Sequence, residues 1–588
     1  MDPNASDRGA EGTAKPSKLE AVKLASQYLK VQDADELNNG QTHFSEDAAN
    51  VLKFHGSYQQ DDRDLRTLLR KEGKERAYSL MVRLRMPGGR ITSAEQYLAC
   101  AELARTVGNS LLRITTRQEL QLYKVRKDDL ARTIRRINEV RLTTLSACGD
   151  VARNVLCCPA PLRDGVHDAM QADADAWAAH AAPRTPAYRA IWLRGETTVV
   201  VPAPESLGVR IPTPGDDTVE PVYGRAYLPR KFKTAFALPE DNCVDIHVND
   251  LGFLAVVEGG VLQGYNVLVG GGLGTTPSAQ KTFPALARPL GYVDRADVLR
   301  VGEAIVKVFR DFGNRCDRKR ARLKYLIHDW GMLTFRAKVE EYLGQRLDDP
   351  KPVAVSDVDD HLGWREQGDG KLFLGIPVEN GRILDDGPRR LFSGLEAFFR
   401  RYETPARLTC QKAILLSDLD PSWKGDIEAW LAEYGIATAE QVPTVRRWSM
   451  ACPVFPNCGL AVTEAERALP SVLDGIEEKL ARLDLQGERF TVRMTGCPNG
   501  CARPYIADIG LVGRSATRNP DGTPGPGTYT VFLGGRTTGE RLNVEFKDYV
   551  PQDQIAGELS RVFGRFQTER RSGENFGDFC HRVGVADL

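Results

Sequence analysis

At 588 residues the chain is too long for a single hydrophobic core, and its make-up, 42% apolar and 27% charged, is that of an ordinary water-compatible protein of several domains. The 79 basic side chains cancel the 79 acidic ones, which excludes a global pull toward nucleic acid or membrane and leaves any anion handling to a local cluster of Arg and Lys. No apolar run approaches the ~20 residues of a bilayer-spanning helix, so the expected location is the cytoplasm.

The opening stretch MDPNASDRGAEGTAKPSK lacks the basic start and apolar run of a signal peptide and reads as a disordered tail. Beyond it, LMVRLRMPGGRIT sets two arginines, one of them Arg83, inside an otherwise apolar strand-like run. LLRITTRQ carries Arg113 and Arg117, and GDVARNVL carries Arg153. In YLPRKFKTAF, Arg230 precedes Lys231 and Lys233, which stand two apart, so that on a strand both ammonium groups share one face while Phe232 takes the other. Four such segments imply cations converging on a counter-anion, because isolated buried charges are too costly to scatter. GYNVLVGGGLG then ends a strand in Gly270, Gly271 and Gly272. It lacks the dinucleotide fingerprint and can be a simple turn, although bare backbone also lets a flat macrocycle lie close.

The chain also carries a long repeat. Residues Pro87 to Leu122 and Val378 to Leu416 both read as Gly-Arg-Ile, an amphipathic helix, then Arg-(Ile/Leu)-Thr opening an apolar strand. Arg90 to Arg113 and Arg382 to Arg407 are similarly spaced. Each copy precedes a cysteine-bearing loop, near Ser146 and near Ser449. The expectation is a duplicated α+β frame with a pseudo-twofold axis and a groove between its halves for a large cofactor.

Of the twelve cysteines, eight are scattered or, at Cys157 and Cys158, adjacent, and these read as small buried hydrophobes or as poorly spaced for chelation. The other four form two close pairs. Cys452 and Cys458 frame PVFPN; Cys497 and Cys501 frame PNG. Between the pairs, Thr463 and Glu466 suggest a capping box, Leu469 to Leu483 a helix, and Phe490, Val492 and Met494 a returning strand. Four thiolates on two loops suit zinc or an iron-sulfur cluster, and the five-residue gap favours the wider loops of a cluster.

Taken together, MPGGRIT, RITTRQ, ARNVL, YLPRKFKT, NVLVGGG, ACPVFPNC and TGCPNGCARPY, in this order, closely resemble the siroheme sulfite and nitrite reductase family. The resemblance runs from about residue 50 to the end. It implies an α+β fold of three domains around a central siroheme and iron-sulfur site. The expected divisions are an extended or disordered N-terminal segment at 1–50, ferredoxin-like half-domains at 51–145 and 346–425, and sulfite reductase domains at 146–345 and 426–588. Cys452, Cys458, Cys497 and Cys501 match the ligands of a [4Fe-4S] cluster, and Cys501 the sulfur shared with the siroheme iron. Arg83, Arg153, Lys231 and Lys233 match the residues that bind the anionic substrate; Arg113, Arg117 and Arg230 match contacts to siroheme carboxylates, with Asn499 nearby.

The implied activity is six-electron reduction of sulfite to hydrogen sulfide in sulfate assimilation and cysteine biosynthesis. Nothing in the chain reads as a flavin or NADPH domain, so a ferredoxin or an NADPH-dependent flavoprotein subunit is the expected electron donor. Nitrite-reducing relatives commonly carry asparagine where Lys233 stands, which favours sulfite; siroheme nitrite reduction and a non-catalytic zinc scaffold are the alternatives. Gln411, Lys412 and Ala413 depart from the family's usual Asn-Gln-Asn, which removes one expected cofactor contact.

Overall fold

The repeat becomes two antiparallel sheets that exchange a strand. The computed structural model describes residues 15–31, 34–193, 220–276, 278–519 and 524–588. One sheet runs in the order Ser57–Asp61, Tyr78–Arg83, Leu120–Val125, Leu112–Ile114, Arg382–Ile383, and the other Gly363–Glu366, Leu372–Pro377, Ala413–Leu419, Ala406–Leu408, Arg90–Ile91. Each Gly-Arg-Ile segment therefore completes the sheet of the opposite copy, with Arg382 paired to Arg113 and Arg90 to Arg407.

A two-residue strand contributes few ladder bonds, so the exchange is fixed by the helix next in each copy. Helices Ala94–Thr106 and Leu391–Tyr402 pack on each other. Tyr97 and Phe399 stack between them with ring centroids 4.3 Å apart. Ser93 caps the first helix by accepting from the Gln96 amide. Leu112, Ile114, Leu408 and Ile414 from both sheets bury into one shared core with these rings.

The remaining two large sheets are also copies of one plan. Ala152–Leu156, Phe232–Ala237 and Leu251–Glu258 run parallel, and Val261–Val269 and Arg288–Asp294 add antiparallel. Ser449–Ala451, Val492–Thr495 and Ile509–Arg518 run parallel, and Pro524–Leu533 and Val544–Pro551 add antiparallel. In each, a helix fills the first crossover, Gly165–His180 or Leu469–Arg482, and another comes after the fifth strand, Val298–Phe312 or Ile555–Glu569. The fold is thus α+β, duplicated, with pseudo-twofold symmetry.

Two local expectations change. Within the stretch expected to be an extended tail, Lys18–Ala25 and Glu46–Leu52 are helices. The first is anchored by Lys23, buried with its ammonium 2.6 Å from Glu20 and donating to the Leu228 carbonyl at 2.8 Å, and the second by buried Ala48, Val51 and Leu52. Residues 1–14 lie outside the described residues. The expected capping box is also absent: the helix Leu469–Arg482 starts beyond it, with Ala468 as its N-cap and no side-chain cap. Glu466 is instead drawn away to the buried Arg113.

Candidate active site

Segments from both halves converge on one open cavity of about 250 Å³. On the strand Phe232–Ala237, Phe232 is fully buried in the core, so Lys231 and Lys233 project from the other face. The parallel register sets Ala152 opposite Phe232 and so brings Arg153 beside the two lysines. Eight basic residues line the cavity: Arg117, Arg230, Lys231, Lys233, Arg318, Lys319, Arg322 and Arg503. No carboxylate lies among the lining residues.

The acidic partners sit behind the guanidinium groups. Asp150 accepts from Arg318 at 2.8 and 3.2 Å, and Asp250 from Arg322 at 3.0 and 2.8 Å. Asp245 accepts from Arg503 at 2.6 Å and from Arg493 at 2.8 Å. Arg117 donates to the Asn249 side chain at 3.1 Å and to the Asn154 carbonyl. These bonds orient the arginines and leave their outer edges to the cavity. Lys231 and Lys233 differ, since neither ammonium has a carboxylate partner among the described residues. Burial, then Arg230 and Arg153, holds Lys231 well below the ordinary lysine range; burial, then Arg117 and Arg322, does the same to Lys233. A bound anion relieves both.

Arg83 and Arg153 stand one layer further in. Arg153 donates to the Gly149 carbonyl at 3.2 and 3.1 Å, and Arg83 Nε lies 3.6 Å from Glu119. Glu119 is fully buried, has no hydrogen-bond partner, and is pushed up to about 7 by burial against the pull of Arg83, Arg117 and Arg153. It holds or releases a proton near neutrality, a property its place in RQELQL did not disclose.

Both cysteine pairs leave the carboxyl ends of adjacent parallel strands, where open sheets hold ligands. Ala451 stands opposite Met494, and the Cys452 amide donates to the Met494 carbonyl at 3.1 Å. Gly500 turns the PNG loop at φ 63°, where a β-carbon would also press on Tyr505 at 3.1 Å. The turn leaves Cys501 exposed on the cavity wall while Cys452 and Cys497 are buried. All four are free thiols. Burial, then Cys501, pushes the Cys452 and Cys458 thiols up and takes Cys497 up to about 11. The Gly496 amide and the Asn499 side chain donate to the Cys452 and Cys497 sulfurs at 3.5 and 3.4 Å. Three thiols held above their ordinary range beside a fourth need a multivalent centre to hold them as thiolates.

Other residues singled out in the sequence fall elsewhere. Arg113 is not on the cavity wall. It forms a two-pronged pair with Glu466, one contact at 2.9 Å, and lies over the Tyr123 ring. Gly270, Gly271 and Gly272 give no bare cradle either: β-carbons there would meet Ile327, the His247 carbonyl and Arg322, so the run serves internal packing. Among the described residues, Gly274 and Gly500 are the glycines that reach the cavity. Lys412, in the departing loop, is buried, donates to the Ala451 and Asn380 carbonyls, and feels the field of Cys452 and Cys501. Burial brings it down to about 8. Arg318, Lys319, Arg322 and Arg503 were not among the expected site residues. The first three sit in a charge-rich run whose spacing does not separate cavity from solvent.

A family model described as the nitrite and sulphite reductase 4Fe-4S domain matches residues 148–347 and 444–588, and one for the nitrite/sulfite reductase ferredoxin-like half domain matches 72–140. The chain belongs to the nitrite and sulfite reductase family. It is 44% identical over 579 residues, 98% of this chain and 90% of the relative, to a protein of Synechococcus elongatus named sulfite reductase [ferredoxin]. It is 42% identical over 581 residues, 98% and 92%, to one of Methylobacterium nodulans named sulfite reductase [NADPH] hemoprotein beta-component. The solved structure of the Mycobacterium tuberculosis NirA protein superposes with a TM-score of 0.76 at 26% identity, covering 98% of both chains.

The family's cofactors are siroheme and a [4Fe-4S] cluster, and the side chains fit both. Siroheme is a flat polycarboxylate with an iron that needs an axial ligand. The cavity offers eight cations, no carboxylate and one exposed sulfur. The cluster needs four thiolates, and Cys452, Cys458, Cys497 and Cys501 follow the ends of two adjacent parallel strands.

Proposed function

We propose that the chain is an assimilatory sulfite reductase hemoprotein, which carries out the six-electron reduction of sulfite to sulfide with Arg83, Arg153, Lys231 and Lys233 as its anion-binding residues. The observation that carries this reading is the pair of lysines without carboxylate partners among the described residues, in a cavity whose charged lining is all cationic and which also exposes Cys501. Cys452, Cys458, Cys497 and Cys501 hold the cluster, and Arg117, Arg230 and Asn499 hold the tetrapyrrole. Cys501, exposed on the cavity wall, would be the ligand the two share. When bound, siroheme and the cluster supply the electron transfer. The chain's own residues do the rest.

Lys231 Nζ and Lys233 Nζ compensate the charge of sulfite, with Arg153 behind them. The same ammonium groups donate protons to the oxygens that leave as water, since burial and neighbouring cations make their protons easier to release. Glu119 provides a second proton store beside Arg83. Electrons come from a separate redox protein, a ferredoxin or a flavoprotein subunit, consistent with the names of the relatives. Among the described residues, no helix is long and apolar enough to cross a membrane.

The test is product analysis with purified holoenzyme and a chemical reductant. Sulfide from sulfite at a higher kcat/KM than ammonia from nitrite is the expected result; the reverse preference overturns the reading in favour of nitrite reduction.

Lys412 gives a second test. Its buried positive charge beside Cys452 and Cys501 stabilises the reduced, more negative state of a cluster held there. Lys412→Met is expected to lower the cluster's reduction potential, measured by redox titration with detection by electron paramagnetic resonance. An unchanged potential dissociates this lysine from the cluster.

A further inference from the structure

The geometry points to a second metal site, a structural zinc bound by Cys158, Asp241, Cys243 and His361. The ligand atoms of these four side chains all lie within 4.8 Å of one another, and all four residues are buried. Cys158 Sγ is 2.9 Å from Asp241 Oδ2, His361 Nε2 is 3.1 Å from the same oxygen, and the sulfur and the imidazole nitrogen are 3.9 Å apart. Two thiols, an imidazole and a carboxylate form a complete four-ligand set for zinc, a borderline-soft ion that prefers tetrahedral N and S donors. With four protein ligands and no open position, the site is of the structural kind.

The surroundings orient the ligands. Asp241 Oδ1 accepts from the Cys243 amide at 3.1 Å and the Asp359 amide at 3.0 Å, which leaves Oδ2 for the site. His361 Nδ1 lies 3.8 Å from the Asp359 carboxylate, which Arg365 in turn grips. A carboxylate behind the imidazole favours the ring orientation that leaves Nε2 to face the site. His361 also sits in the left-handed backbone region at φ 57°, a conformation unfavourable for a residue with a β-carbon.

The position explains what such an ion does. Cys158 comes just after the strand Ala152–Leu156, Asp241 and Cys243 lie beyond the strand Phe232–Ala237, and His361 ends the segment that leads into the second half at Gly363–Glu366. One ion bolts the sheet that carries Arg153, Lys231 and Lys233 to the other half of the molecule. Cys158 is five residues beyond Arg153, roughly 16 Å along an extended chain, so this site is separate from the anion cavity. Cys158 and Cys243, read in the sequence as poorly spaced or merely hydrophobic, meet only in the fold.

The experiment is elemental analysis and zinc K-edge X-ray absorption on the untagged holoenzyme, purified without chelator, incubated with zinc and desalted. The expected result is one zinc per chain beside the cofactor iron, with two sulfur ligands at about 2.3 Å and two nitrogen or oxygen ligands at about 2.0–2.2 Å. Cys158→Ser with Cys243→Ser is expected to lose the zinc and keep the iron. If that variant does not fold, Asp241→Asn serves, with a tenfold or larger drop in zinc retention expected. No bound zinc in the wild type overturns the proposal. So does zinc with four sulfur ligands, which places it on Cys452, Cys458, Cys497 and Cys501. Sulfite turnover plays no part in the readout, so this inference and the proposed function stand or fall separately.

Discussion

Lys233→Ala is expected to lower sulfite turnover by about 10²–10³-fold, the loss typical of removing one preorganised donor from a developing charge, while both cofactors stay bound. The substitution deletes an ammonium that has no carboxylate partner among the described residues, so no buried counter-charge is stranded there and the strand Phe232–Ala237 keeps its core residue Phe232. The visible spectrum and iron content report cofactor retention, and steady-state sulfide formation reports rate. Full turnover in a variant with normal iron content removes Lys233 from the mechanism. The same residue gives a pH signature. Burial and the cations Arg117 and Arg322 disfavour its charged form, so it loses its proton at a lower pH than an ordinary lysine. Sulfite favours the charged form, so binding takes up a proton and affinity falls as pH rises through that lowered value. Lys233→Ala is expected to flatten this part of the profile.

Glu466→Ala is expected to destabilise the protein by about 3–5 kcal/mol, the cost of stranding a buried charge. Arg113 is 1% exposed and its other contacts are the Asn380 carbonyl and the face of Tyr123, neither of which compensates a full charge. The pair also joins the first sheet to the loop that leads from the first cysteine pair to the helix Leu469–Arg482. For a domain of this size the loss corresponds to a melting temperature lower by roughly 6–20 °C, read by calorimetry on the holoenzyme. Combining it with Arg113→Leu is expected to restore most of the loss, because the uncompensated charge is then absent. A single variant that melts like the wild type refutes the assignment of Arg113 as a structural ion pair.

Lys233 and Arg113 differ in how far local sequence discloses them. Lys231 and Lys233 were legible because strand alternation is local: two residues apart means one face, and Phe232 duly fills the core. The cysteine pairs were legible because their spacing requires only two loops and a returning strand. Arg113 was not, since its partner Glu466 is 353 positions away and no local rule reports that distance. Thr463 and Glu466 fit the capping pattern, but a buried guanidinium attracts a carboxylate more strongly than a helix end does. Asp150, Asp245 and Asp250 escaped notice for the same reason. They act from behind the cavity, where only tertiary structure places them. The repeat announced duplication, yet two-residue strands such as Arg90–Ile91 carry no sign of which sheet they join.

Strand exchange also bears on how the polypeptide is made. The first half-domain's sheet is closed by Arg382–Ile383, so during synthesis the edge at Leu112–Ile114 stays bare until residue 383 of 588 has left the ribosome. An open antiparallel edge is a template for illicit pairing with neighbouring nascent chains. The exchange that interlocks the finished halves thus ties completion of the N-terminal sheet to synthesis of the second copy.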